Sequence, residues 1–446
     1  MRFTPGFRRH ALVAALSAIY GAAPQLVQAN PTGAQVVNGQ AVLQTQGNKL
    51  TVTNTPGAII NWQSFSIGAG ETTYFQQQSA ASAVLNRVQA QNPSLQSRID
   101  GTLGSNGRVF LINPNGVVFG AGSVIDTQGF VASTLSMRDD DFKAGKLKFA
   151  RQGAAADLLA QGRISSGNGD VYLVAPNIGV DGNAVISTQG GNVVLAAGEM
   201  VEITGRNLND ITFAVQNPGN QVLNLGTLSG GAVGVFAGTL THSGLIQAQA
   251  LARDGSKLVL KALGNVTLGS GSTSSANGPD LGGQVHIESR FGNVVVDARA
   301  VVSAQALAAA RPLVIPRGGS VTISAPDGLV AIEHEAVVNA SGAHGGAVYV
   351  DSARFLQDGA IRADGQYSVG GTITVQADSR IVQSRNASMT ATGVLRGGAI
   401  HLSVDADPAG AGHLFSSARI DASASTGDGG QVTVTGRELA FVGARV

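Results

Sequence analysis

Side chains able to do acid, base or metal chemistry are sparse in these 446 residues, so the first question is whether any are grouped for it. Glu333, His334 and Glu335 form the one dense titratable cluster, and carboxylate beside imidazole is the pairing a general acid and base would use. On a strand, however, His334 points away from both neighbours, which reads as an exposed strand edge. Asp139, Asp140 and Asp141 supply oxygen atoms but lack the alternating spacing and the glycine turn of a calcium loop. After His10 no histidine occurs until His242, and no phosphate loop, zinc-spaced ligand set or nucleophile elbow is present. The chain therefore reads as non-enzymatic, with no catalytic residue, metal or cofactor assigned.

The residues with the most specific spacing are instead amides and prolines. Asn113-Pro114-Asn115-Gly116 stands between the apolar runs Val109 to Ile112 and Val117 to Phe119. Asn suits the first position of a turn, Pro presets φ at the second, Asn tolerates an unusual φ at the third, and Gly releases the exit. This predicts a strand, a sharp corner and a strand. Consecutive rather than alternating apolar residues before the corner predict cover on both faces, by a core and by something laid outside it.

Around this corner stand Ile60-Asn-Trp-Gln-Ser-Phe-Ser-Ile-Gly68, Ala83-Val-Leu-Asn-Arg-Val88, Asn92-Pro93-Ser94-Leu95, Gly101-Thr-Leu-Gly104, Gly129-Phe-Val-Ala-Ser-Thr-Leu135 and Leu195-Ala-Ala-Gly-Glu199. In this order they resemble the amino-terminal secretion domain of two-partner secretion exoproteins, the filamentous haemagglutinin family, over about residues 30 to 270. The family signatures read Asn-Pro-Asn-Leu and Asn-Pro-Asn-Gly; the second is intact here, while Ser94 departs from the first. The resemblance implies a right-handed parallel β-helix with extra-helical strands in the amino-terminal domain. It also implies that Asn92, Pro93, Leu95, Asn113, Pro114, Asn115 and Gly116 form a secretion motif recognised by an outer-membrane β-barrel transporter.

At the amino terminus Arg2, Arg8 and Arg9 precede the apolar run Ala11 to Tyr20, and Val27-Gln28-Ala29 offers small residues before Asn30. Residues 1–29 thus read as a signal peptide cleaved after Ala29, and the run is too short to span a bilayer. The chain has no cysteine although such a signal leads to a disulfide-forming compartment, so stability must come from packing. Lys and Arg number 29 against 28 Asp and Glu, a net charge of +1, which leaves no electrostatic footprint for nucleic acid.

From Gly190 onward a phrase of two glycines, any residue and alternating aliphatic residues recurs, at Gly190, Gly282, Gly318, Gly345, Gly370, Gly397 and Gly429. The last five copies start 27, 25, 27 and 32 residues apart, a period that signals a solenoid or propeller. A second strand phrase lies between copies, as in Ala336 to Ala340, Ala360 to Asp364 and Ala418 to Ala422. A propeller blade needs about four strands, so an all-β coil of a parallel β-helix fits better. Gly pairs are expected to supply backbone freedom at corners. The charged run Arg138 to Lys148 reads as an exposed excursion, and Gly269 to Gly283 as a long loop.

Together these readings divide the chain into a signal peptide (1–29), a secretion domain (30–270) and a repetitive β-helix shaft (271–446). The expectation is a monomeric exoprotein, exported through the periplasm to the cell surface or medium, whose shaft acts as an adhesin on a host-cell glycan or matrix receptor. The rival is a secreted β-helical polysaccharide lyase or hydrolase, which would need paired carboxylates on neighbouring coils.

Overall fold

The computed structural model describes residues 30–89, 92–205, 208, 211–214, 219–249, 256–306, 314–404 and 412–444; the expected cleavage point at Ala29 lies outside them. Within them the chain winds into a right-handed parallel β-helix with three parallel ladders, two in a 25-stranded sheet and one in a 15-stranded sheet. In the first ladder Val84, Val109, Phe130, Val171, Val193 and Val233 stand on one another. The same column continues through Leu258, Val285, Val321, Val348, Ile373, Ile400 and Val432. Seven of these residues are the first aliphatic positions of the seven Gly-Gly phrases, so the repeat is the coil itself.

The second strand phrase falls in the third ladder, at Val337–Asn339, Ala360–Arg362 and Arg419–Asp421. A third strand per coil was not legible, in part because in three shaft coils it runs on from the first. Ser320–Ile332, Ala347–Gln357 and Thr372–Gln383 are single strands that cross two faces, with a register shift midway in their pairing. At the amino-terminal end Gln35–Asn38 lies antiparallel on Ala58–Trp62, and Ala41–Gln46 antiparallel on Lys49–Asn54, closing the first coil. One continuous core of stacked aliphatic side chains runs up the inside from Leu50 to Ala422.

A second core lies outside the helix. Phe110, Ile112, Val131, Tyr172, Val194, Phe236 and Val259 point outward from the first ladder, yet all are buried. They are covered by the short helix Asp139–Lys143 and by an antiparallel sheet of Leu147–Ala150, Met200–Ile203 and Ile211–Ala214. Phe142 meets Phe110 edge to face at 5.1 Å, and Phe149 and Val201 are paired in the cover. Burying each such side chain is worth about 1.5–3 kcal/mol, which explains why the apolar outer face carries a lid. Ion pairs fasten it: Arg87 with Asp139, Arg151 with Glu199 at 2.9 Å, and Lys148 with Glu202 at 2.7 Å.

Three local expectations are corrected. The run Arg138 to Lys148 is not a simple excursion, because its helix buries Phe142 as part of the cover. Gly269 to Gly283 is not one long loop, since Thr273–Ser275 is a third-ladder strand between Leu245–Ala248 and Val301–Ser303. The Gly pairs do not serve backbone freedom, for none of them has positive φ. They are needed because the coils touch there. A Cβ on Gly371 would lie 2.0 Å from the carbonyl oxygen of Gly346, which itself accepts the Thr372 N–H at 2.9 Å, and Gly398 meets the Gly371 oxygen at 2.1 Å.

His242 ties three coils together near the end of the cover. Its Nδ1 accepts from the Asn224 side-chain amide at 3.0 Å, and its Nε2 donates to the Thr273 carbonyl at 3.2 Å, so the neutral tautomer is set by its partners. Burial lowers its pKa to about 4. Two tests follow. Gly371→Ala should destabilise the shaft by more than about 2 kcal/mol through overpacking, and an unchanged urea midpoint would contradict the close-contact account. Because the folded pKa lies below the ordinary histidine value, the unfolded chain binds the extra proton. Stability is therefore complete above about pH 6.5 and falls as pH drops toward 4, by at most about 1.4 kcal/mol per pH unit. Unfolding titrations should show this slope in the wild type and a flatter one in His242→Gln.

Candidate functional site

The two Asn-Pro turns lie on successive coils and are bonded to each other. Asn92, extended at φ −142°, caps a one-turn 3-10 helix, Pro93–Leu95. Its Oδ1 accepts the Ser94 N–H at 3.0 Å and its carbonyl accepts the Leu95 N–H at 2.8 Å. Ser94 enters through its backbone and its side chain is exposed, so the departure from the family signature leaves this bond intact. Leu95 packs its side chain against the inner core.

One coil on, Asn113 is fully buried at 0% exposure and every polar group it carries is used. Its carbonyl accepts the Gly116 N–H at 3.1 Å, closing the turn, and its N–H donates to Ser133 O at 2.9 Å on the next coil. Its side-chain amide donates to Leu95 O at 2.7 Å and Ser97 Oγ at 2.9 Å, reaching back to the first turn. Its Oδ1 accepts both the backbone N–H and the side-chain amide of Asn115, at 3.0 and 2.9 Å. Asn115 Oδ1 then accepts the Asn92 N–H at 2.7 Å. Pro114 contributes its carbonyl to the Ala156 N–H at 2.9 Å. Gly116 has φ +114°, a conformation that calls for glycine, while the nearest atom to a Cβ there would be the movable Gln96 amide nitrogen at 2.8 Å.

The structure thus unites all seven motif residues in one neutral interlock whose chemistry is hydrogen bonding, not proton transfer. Ser97, which receives the Asn113 amide, was missed; it follows Leu95 by two residues and carries no signal of its own. The arrangement also alters the role of Asn115. Asparagine is needed for its NH2 group as well as for its turn preference, because aspartate would set an oxygen against Asn113 Oδ1.

Elsewhere the structure supplies the carboxylate register that the chain alone left open. The residues just before Asp297, Glu333 and Asp358, namely Val296, Ile332 and Gln357, are partners on successive coils, so the three carboxylates stack at one corner. Burial raises the Glu333 pKa, with Asp297 and Asp358 adding to the effect. His334 lies on this turn rather than on a strand edge, and it faces Asp358 at 3.3 Å and Glu335 at 3.8 Å instead of pointing away. Among the described residues no group of His, Cys, Asp and Glu is placed to hold a metal ion, and no helix is long and apolar enough to cross a membrane.

The family model described as the TPS secretion domain matches residues 27–274. A heme/hemopexin-binding protein of Haemophilus influenzae is 31% identical over 199 residues, 43% of this chain and 21% of that protein. A second protein of the same description and species is 30% identical over 146 residues, 32% of this chain and 15% of that protein. The chain therefore aligns with about a fifth or less of these relatives. Among solved structures, the HMW1 secretion domain from Haemophilus influenzae superposes with a TM-score of 0.61 at 27% identity, covering 93% of this chain and all of that one.

The interlock makes a graded prediction. Asn113→Asp buries a carboxylate against the Leu95 carbonyl and should cost about 3 kcal/mol or more, while Asn115→Asp loses one donor and should cost about 1–3 kcal/mol. Urea unfolding of the two variants checks the order; equal, wild-type midpoints would show that the side-chain bonds carry no stability.

Proposed function

The chain belongs to the family of the TPS secretion domain, the domain of two-partner secreted exoproteins, and from that premise we propose that an outer-membrane transporter reads the Asn92–Leu95 and Asn113–Gly116 segments before they fold. The observation that carries this is the complete burial of Asn113 in the finished domain. A transporter cannot touch that side chain once the coils have stacked. The motif then has two successive roles, as an address on the unfolded chain and as the lock between the first coils outside. A solenoid suits this passage, because each coil contacts only its neighbours and can be added as it emerges. Stacked coils on the outer side would oppose backward sliding.

Once outside, the shaft acts as an adhesin, presenting a long side-chain surface to a host-cell glycan or matrix. The heme and hemopexin binding named for the relatives belongs to much longer proteins, and it is not carried over here. A hydrolase at the Asp297, Glu333 and Asp358 corner is the second reading, favoured by the stacked carboxylates alone. Release of reducing ends from an acidic polysaccharide, abolished by Glu333→Gln, would establish it; we expect no turnover.

Pro93→Ala separates address from lock. Pro93 is exposed and makes no side-chain hydrogen bond in the folded domain, so the substitution should cost less than about 1 kcal/mol of stability. Co-produced with the cognate transporter, the variant should nevertheless accumulate in the periplasm. Secretion at the wild-type rate, with Asn113→Asp and Asn115→Asp losing secretion only in proportion to stability, would leave the motif a folding element.

A further inference from the structure

We propose that the outward face of the second ladder in the shaft, around Arg354, Arg380 and Phe415, binds an anionic polysaccharide. This deepens the adhesin reading and rests on it. Two columns of side chains run along this face in register. Arg354 pairs with Arg380 and Arg380 with His413 on three successive coils. Two residues further along the same strands, Leu356 pairs with Val382 and Val382 with Phe415. Phe355, Ile381 and Leu414 between the columns point inward and are fully buried, so both columns face solvent. Leu356 is 40% and Phe415 47% exposed, an apolar stripe that nothing among the described residues covers.

Arg354 and Arg380, like most arginines among the described residues, form no ion pair with a described residue. The carboxylates bordering the patch are Asp378 in the bulge of its strand, Glu438, which is bonded to His413 at 2.7 Å, and Asp358, two residues beyond Leu356, which faces His334 at 3.3 Å. Two unpaired guanidinium forks one coil apart, about 4.8 Å, match planar carboxylate or sulfate groups carried by a linear chain laid along the shaft. The apolar column beside them offers a flat platform for the C–H faces of sugar rings, with Phe415 as its aromatic anchor. Peptide addition to a strand edge is not open here, because these strands are already paired on both sides by the coils above and below.

The test uses the purified chain on immobilised heparin, a sulfated chain, on polygalacturonate, a carboxylated one, and on neutral dextran. Retention on at least one polyanion, falling with salt and absent on dextran, is expected; which resin holds it identifies the anion. The Arg354→Ala/Arg380→Ala double variant should lose about tenfold or more in affinity and Phe415→Ala a smaller factor, while thermal midpoints stay at the wild-type value. No retention, equal retention on dextran, or undiminished retention of the double variant would overturn the site. Cell attachment separates this from the adhesin reading. Attachment that survives the double variant refutes the site and leaves adhesion standing, whereas polyanion binding without attachment does the reverse. Loss of attachment in the double variant that persists on cells stripped of acidic glycans points to an acidic protein surface and overturns the polysaccharide assignment.

Discussion

Every feature of this molecule depends on the backbone hydrogen bonds that hold each coil on the one below at about 4.8 Å. The spacing is set by the peptide unit and cannot be relaxed locally without breaking a ladder. Side chains in the interior therefore stack like on like, and Val, Ile and Leu, with Phe130, fill the column from Val84 to Val432. At the second glycine of each Gly pair a side chain would run into a carbonyl oxygen of a neighbouring coil, so none fits there. Glycine there is a consequence of contact between backbones, which is why Gly346, Gly371 and Gly398 form a column of their own.

The same stacking makes polar groups cooperative between coils. Asn113 bonds backward to Leu95 and Ser97 and forward to Ser133, and His242 links Asn224 to Thr273. Each is buried and each would leave several partners unsatisfied if lost, so these are points where a coil is keyed to its neighbours rather than merely packed on them. The interlock of Asn92–Leu95 with Asn113–Gly116 is one of these keys, placed in the amino-terminal coils.

The outer face divides the molecule functionally. Along one column of the first ladder the outward residues run Leu85, Phe110, Val131, Tyr172, Val194, Gly234 and Val259, and then change to His286, Thr322, Tyr349 and Thr374. The apolar part is sealed by the extra-helical helix and sheet. Nothing among the described residues covers the polar part, and the family match ends at residue 274, close to the point where the column changes. A covered amino-terminal region and an uncovered shaft thus follow from one alternation along the strands.

Much of this was legible without coordinates because periodicity and local stereochemistry are local properties. The Gly-Gly phrase marked the coil, the run Val109 to Ile112 announced a strand buried on both faces, and Asn113 to Gly116 announced a turn. What covers that strand was not legible, because Phe142, Phe149 and Val201 come from insertions whose helical or strand pattern is too short to read. The third strand of three shaft coils was hidden for a related reason, since Ser320–Ile332, Ala347–Gln357 and Thr372–Gln383 each cross two faces as one strand. Register between coils decided the rest. Only stacking could bring Asn92 to Asn115, align Asp297 with Glu333 and Asp358, or set Arg354 beside Arg380, because residues 23 to 36 apart become neighbours only when coil lengths are summed correctly. Coil length varies with every insertion, so a one-residue error in sequence would have turned each of these side chains to the opposite face.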